Sequence, residues 1–130
     1  MVGRRWKGKR YSIRVPISLF LRDEESSRVL SGPQSGMLVD ISQGGACLRL
    51  SSVFSDGCHL FYAPIDSPGQ SLYLEFPSLT SESDKDFVIQ VRPVWLDRDF
   101  SDESMPFRVG VAFLKKLSKK MLNEVLAAGR

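Results

Sequence analysis

The 130-residue sequence has few of the residues on which metal binding, disulfide cross-linking and nucleophilic catalysis depend. Its only cysteines are Cys47 and Cys58, and its only histidine is His59. A structural zinc site takes four ligands, and two cysteines in a chain of this length do not make a disulfide framework. Ser-His-Asp or Cys-His catalysis would need His59, and no nucleophile motif accompanies it. We therefore expect no enzyme, no metal site and a reducing, cytoplasmic environment.

Long apolar runs are also missing. No stretch approaches the roughly 18 consecutive apolar residues that a membrane-spanning helix needs. The basic N-terminus is not followed by the apolar segment of a secretory signal. The sequence thus predicts no membrane insertion. Its 42% hydrophobic and 25% charged residues are typical of a globular chain, and its length fits one domain.

Positive charge is concentrated at the start of the chain. Residues 1–14 carry six of the 18 basic residues and no acidic residue, although the net charge of the whole chain is only +3. A short segment of like charges with little to bury does not fold by itself. We expect residues 1–9 to form a flexible basic tail and residues 10–130 to form a single domain.

Alternation of apolar and polar residues with a period of two dominates the chain and predicts strands. Pro93 indicates an edge position or a bulge in the fifth strand, and Trp95 in the same strand is expected in the core. The six predicted strands are Tyr11–Arg22, Met37–Ile41, Ala46–Leu50, Ser71–Phe76, Phe87–Leu96 and Phe107–Phe113.

The C-terminus has a helical period instead. Ser118 can cap the helix, and Gly129 is placed to end it. Between them, four apolar residues follow at helical spacing, and we expect this stripe to pack on the core rather than to bind a partner. The pattern as a whole predicts an all-β fold, a small antiparallel six-stranded β-barrel, with a C-terminal α-helix from about residue 118.

Two short motifs combine charged and turn-forming residues. Arg10 and Arg14 form R-x-x-x-R where the basic tail meets the first strand, and Asp40, Ser42 and Gly45 form D-x-S-x-x-G at a strand–turn–strand corner. Alone, the first is typical of solvated charges and the second of a turn whose side chains cap nearby N–H groups. Their order and spacing on short strands of an all-β chain make the pair more specific.

With these motifs the sequence resembles a PilZ domain, the bacterial receptor module for cyclic di-GMP. The resemblance extends over about residues 9–127 and includes Val91–Trp95 and Gly110–Phe113, which are similar to two later strands of the family. The segment Val53–Pro68 departs from the family in its length and aromatic content. The resemblance implies a barrel of the split-barrel type. It implies a cyclic di-GMP site at Arg10, Arg14, Asp40, Ser42 and Gly45, with Lys9 and Gly44 as further contacts.

The residue types suit this ligand. An arginine can bond a phosphate, meet the O6 and N7 acceptors of guanine, or stack on a purine. The Asp40 carboxylate can accept from the N1–H and N2–H groups of a guanine edge. The Ser42 hydroxyl can donate to a phosphate or base oxygen, and Gly45 lets the backbone approach the ligand.

The family implies a receptor that orders its basic N-terminal segment over the ligand and signals to an unidentified protein partner. No cofactor besides this ligand is expected. One alternative is a ligand-free interaction module of the same fold. Another is a small-barrel binder of single-stranded nucleic acid, but the sequence reveals no exposed aromatic platform for bases, so nucleic acid is not the expected partner.

Overall fold

Six antiparallel strands close into a barrel in the computed structural model, which describes residues 9–80 and 86–129, the side chains of 78–80 and 86 excepted. The barrel strands are β1 (Tyr11–Asp23), β2 (Gln34–Ile41), β3 (Gly45–Leu50), β6 (Gln70–Thr80), β7 (Asp86–Arg98) and β8 (Phe107–Phe113), in the order β1-β2-β3-β8-β7-β6. This confirms the predicted barrel. Except for Lys9, the predicted flexible tail lies outside the described residues.

The first strand closes the barrel by pairing on both sides. Its first part, Tyr11–Leu19, pairs with β2, and its second part, Ser18–Asp23, pairs with β6. The predicted apolar face points inward, so Val15 and Leu21 are fully buried. Each of the six barrel strands therefore has a hydrogen-bonded neighbour on both sides within the described residues, as a closed barrel requires.

A bulge in β7 explains why Trp95 does not lie in the core, where the sequence predicts it. Pro93 pairs with Val111 and Trp95 with Gly110, so Val94 is an extra residue in this strand. The predicted bulge at Pro93 is confirmed, and β7 is not an edge because it pairs with both β6 and β8. The prediction that Trp95 lies in the core is wrong. The extra residue shifts the alternation, and Trp95 lies half-buried on the outer face.

The Val53–Pro68 segment adds a small hairpin and a short helix beside the barrel. The hairpin strands are β4 (Phe54–Ser55) and β5 (Cys58–His59), and the helix is α1 (Ala63–Asp66). Leu60 and Phe61 of this segment are buried in the barrel core. Nδ1 of the only histidine, His59, accepts the backbone N–H groups of Phe61 and Tyr62 at 3.2 Å each, so this side chain holds the turn into α1.

The C-terminal helix α2 (Lys119–Ala128) packs against β1 and β6. The Ser118 hydroxyl accepts the Met121 N–H at 3.1 Å, which confirms the predicted N-cap. The apolar stripe of the helix is buried in the core, as expected, through Leu122, Val125 and Leu126. In the part of the chain that is described, neither helix is long and apolar enough to cross a membrane.

Candidate ligand site

The candidate site is a cleft on the outer face of the barrel, across four neighbouring strands. The pairing of these strands puts Asp40 beside Cys47, Cys47 beside Gly110 and Gly110 beside Trp95. Paired residues of adjacent strands face the same side of a sheet, so these four form one row. The cleft has a volume of about 360 Å³ and is lined by Arg10, Val39, Asp40, Cys47, Arg49, Trp95 and Arg108.

Trp95 covers the backbone of β8 at Gly110. A Cβ atom built on Gly110 would come within 2.7 Å of the Trp95 Cδ1 atom and still closer to two other indole atoms. The ring can therefore lie over this strand only because residue 110 has no side chain. The Arg108 guanidinium lies 5.8 Å from the indole centroid, within the range of a cation–π contact. Trp95 thus gives the cleft an aromatic floor.

Arg10 and Asp40 join the two predicted motifs across 30 residues of sequence. The Arg10 guanidinium donates to both carboxylate oxygens, from Nε at 3.3 Å and from Nη2 at 2.8 Å. The side chains are 43% and 25% exposed. A solvent-exposed pair of this kind contributes about 0–1 kcal/mol. Both side chains can therefore exchange this contact for a ligand at little cost.

Two further arginines in the cleft were not predicted as site residues. Arg49 of β3 donates to the Asp99 carboxylate at 2.7 Å and to the Met105 carbonyl at 3.0 Å. Arg108 of β8 makes two hydrogen bonds to Asp97, at 3.0 and 2.9 Å. The alternation of β3 correctly predicts that Arg49 points outward. Arg49 and Arg108 lie side by side because they are register partners on the adjacent strands β3 and β8. Local alternation does not specify this register.

These carboxylates hold the two guanidinium groups in place. Hydrogen bonds from Ser101 and the nearby Arg49 lower the pKa of Asp99 to about 2, so this carboxylate is ionised at neutral pH. The hydrogen bond with Asp97 raises the pKa of Arg108. Burial raises the pKa of the Cys47 thiol to about 11, so Cys47 contributes a neutral group to the cleft.

Ser42 organises the turn that follows Asp40. It is fully buried, and its hydroxyl oxygen accepts the N–H groups of Gly44 at 3.2 Å and Gly45 at 3.3 Å. The Ser42 N–H donates to the Gly45 carbonyl at 2.9 Å. Gly45 then begins β3, beside Ala112. Of the D-x-S-x-x-G motif, only Asp40 lines the cleft, while Ser42, Gly44 and Gly45 shape the turn beside it.

The other two predicted site residues lie outside the cleft. Arg14 is exposed on β1, close to a register shift between Ser12 and Val15. The Lys9 ammonium lies 5.4 Å from the Tyr11 ring centroid, at a separate, smaller cleft of about 270 Å³. Within the described residues, no group of three or more His, Cys, Asp or Glu is placed to hold a metal ion.

Comparison with known proteins identifies the family. The sequence pattern of the PilZ domain matches residues 4–128, so the chain belongs to the PilZ domain family. PilZ domains are binding and receptor modules, and the family binds cyclic di-GMP. Membership therefore supports a cyclic di-GMP receptor or effector domain. None of the curated proteins matches the chain.

Two solved structures match the chain in a structural comparison. The Bacillus subtilis inhibitor of motility, MotI/DgrA, is 14% identical with a TM-score of 0.52, and the match covers 96% of this chain and 50% of that protein. The chain thus spans about half the length of that protein. The PilZ domain of CeSA from a cellulose-synthesizing bacterium is 12% identical with a TM-score of 0.46, and the match covers 94% of this chain and 95% of that domain. At 14% identity, the first likeness shows a shared fold alone.

Proposed function

We propose that this chain binds cyclic di-GMP in the outer cleft and that a protein partner recognises the ligand-bound form. The observation that carries the proposal is the Arg10–Asp40 pair at a cleft that also presents Trp95, Arg49 and Arg108. The ligand has two guanines and two phosphodiester charges. Guanidinium groups, a carboxylate and an aromatic face are the groups that recognise guanine edges, phosphates and purine faces.

Binding would begin with an exchange at Asp40. When a guanine N1–H and N2–H bond to the Asp40 carboxylate, the Arg10 guanidinium is released. Arg10 can then donate to a phosphate or to guanine O6 and N7. A guanine base would then stack on the Trp95 ring in place of the Arg108 guanidinium. A stacked base is worth about 1–3 kcal/mol in single-stranded nucleic acid complexes.

The ligand charge would be balanced mainly by the basic residues at the start of the chain. Arg49 and Arg108 already face Asp99 and Asp97, so they add little net positive charge. Arg14, exposed on β1, would complete the phosphate contacts, with Lys9 as a further cation. We propose that this attraction draws the N-terminal segment over the ligand and that the partner protein recognises the resulting surface.

Ser42, Gly44 and Gly45 take an indirect part in this proposal. Their hydrogen bonds define the turn that places Asp40 at the cleft. The buried Ser42 hydroxyl already accepts two backbone N–H groups, so its contribution to affinity would come through the turn.

Calorimetric titration of the full chain with cyclic di-GMP tests the proposal. Arg10→Ala and Asp40→Ala should each weaken binding by about 10- to 150-fold, which corresponds to the roughly 1.5–3 kcal/mol of a hydrogen bond to a charged group. Arg28→Ala, which removes an exposed arginine between β1 and β2, is the matched control and should bind normally.

GTP and a short oligonucleotide serve as competitors in the same titration. Neither should displace cyclic di-GMP at equal concentration. Unchanged binding in both cleft variants would refute the placement of the ligand. Salt-dependent binding of the oligonucleotide in place of cyclic di-GMP would identify a nucleic-acid binder instead.

A further inference from the structure

A second concave surface, with lining residues different from those of the candidate site, lies beside the end of β8 and the start of α2. Two clefts of about 470 and 380 Å³ share Leu114 and Gln90. Exposed apolar side chains line them, with Leu114 55%, Ile65 52% and Val88 41% exposed. We call this surface the Leu114 groove and define it by Pro64, Ile65, Val88, Gln90, Leu114 and Met121.

The charged residues that line this groove are basic, and two acidic residues lie next to it: Glu75, which pairs with Val88, and Asp66, which ends α1. The charged lining residues are Lys115, Lys116 and Arg92, with no acidic residue among them. Lys119 and Lys120 follow in the first turn of α2, and that turn contains no acidic side chain. None of the four lysines forms an ion pair with any residue that the structure describes.

Two of these lysines, Lys119 and Lys120, lie in the first turn of α2, where the partial positive charge at the amino end of a helix disfavours a cation. Carboxylates of a binding partner would offset this unfavourable charge. The apolar groove beside the lysines would at the same time remove exposed leucine, isoleucine and valine side chains from water.

We propose that the Leu114 groove binds an acidic amphipathic segment of a partner protein. The apolar side chains of the segment would pack on Leu114, and its carboxylates would face the lysines at one end of the groove. A concave apolar channel with basic residues at one end fits the known mode in which an amphipathic helix lies in a groove. The lysines line only one of the two clefts, and the other is lined by Pro64 and Ile65 with Arg92 as its one charged residue.

The groove is joined directly to the turn beside Asp40. The Leu117 N–H donates to the Gln43 carbonyl at 2.9 Å, and the Gln43 side-chain amide donates to the Leu117 carbonyl at 2.8 Å. The Phe113 N–H donates to the Gly44 carbonyl at 2.9 Å. The segment that carries Leu114 is therefore held at both ends by this turn. This part of the inference rests on the proposed function. If cyclic di-GMP binds at Asp40, these hydrogen bonds couple its binding to the binding of the partner segment in the groove.

Selection of short peptides from a random display library against the full chain, with and without cyclic di-GMP, tests this inference. The enriched peptides should combine Asp and Glu with Leu, Ile or Phe at helical spacing. In fluorescence anisotropy with an enriched peptide, Leu114→Ser should weaken binding about tenfold or more. The control variant is Val29→Ser, which removes a valine that is 56% exposed in the β1–β2 connection, away from the groove lining. This variant should bind the peptide normally.

The charge part of the inference is tested with Lys115→Ala/Lys116→Ala. This double variant should weaken peptide binding and flatten its dependence on salt. Enrichment of basic peptides, or binding that Leu114→Ser leaves unchanged, would overturn the proposal. Lysine-dependent binding to phosphatidylglycerol vesicles without peptide binding would also overturn it, in favour of a lipid surface. A Leu114-dependent dimer in sedimentation equilibrium would overturn it in favour of a second copy.

The coupling is measured by the ratio of peptide affinities with and without cyclic di-GMP. We expect a ratio of about threefold or more, reduced by Gln43→Ala because the turn then loses its side-chain bond to Leu117. A ratio of one in a chain that binds cyclic di-GMP would overturn the coupling. A chain that binds the peptide in the groove but gives no heat with cyclic di-GMP would refute the proposed function and leave the docking surface established.

Discussion

Substitution of Gly110 tests the packing of the cleft floor. The Gly110→Ala side chain would overlap the Trp95 ring, whose Cδ1 atom would lie 2.7 Å from the new methyl group. A glycine-to-alanine change without strain stabilises a protein by about 0.4–1 kcal/mol, whereas overpacking costs about 1–3 kcal/mol. We therefore expect the free energy of unfolding to fall by about 1–2 kcal/mol, since the ring can swing partly outward.

Thermal unfolding and tryptophan fluorescence measure the two consequences. A loss of this size lowers the Tm of a domain of this length by about 3–10 °C. With Trp6 replaced by phenylalanine, Trp95 is the only fluorophore of its kind, and its emission should shift to the red. Gly69→Ala is the matched control, because the nearest atom to its new Cβ is an Asp23 oxygen at 3.8 Å.

A double variant isolates the contact between the two residues. In a Trp95→Ala background the added methyl group has room, so Gly110→Ala should cost less than about 0.5 kcal/mol there. The reasoning is refuted if Gly110→Ala has the Tm and the emission of the Gly69→Ala control. It is also refuted if the cost of Gly110→Ala is the same with and without the indole ring.

Three further changes probe the turn, the helix and the acid limit of stability. Ser42→Ala leaves the buried Gly45 N–H and the partly buried Gly44 N–H without their acceptor and should lower the free energy of unfolding in urea by about 1–3 kcal/mol without any ligand. Ser118→Ala removes the cap of α2 and should cost about 1 kcal/mol in the same assay, whereas Ser118→Asp should retain most of the stability. Because the pKa of Asp99 is lowered from 3.8 to about 2, its stabilising effect is present above pH 4 and lost as the pH falls towards 2. The Tm difference between the native chain and Asp99→Asn should vanish over that range. A constant difference would contradict this assignment.

Much of the fold could be predicted because its signals are local. Alternation with a period of two marks a strand wherever one face is buried, and it located all six barrel strands. The Ser118 cap and the apolar stripe after it located α2 within one residue. Two residues that line the cleft, Arg10 and Asp40, belong to the motifs that the sequence singles out, because each motif is short and local. Their direct pairing was not predicted, because it joins segments 30 residues apart.

By itself, the sequence determined the strands, the C-terminal helix and the family motifs, since each depends on neighbours a few residues apart. Only the tertiary structure decided which side chains meet. The row from Asp40 to Trp95 depends on the register of four strands, and the extra residue Val94 turns Trp95 outward. Register and bulges are set by the summed pairing and packing of distant segments, so no local pattern encodes them. For the same reason, local sequence patterns do not predict that Arg49 and Arg108 line the cleft, or that the Leu114 groove exists.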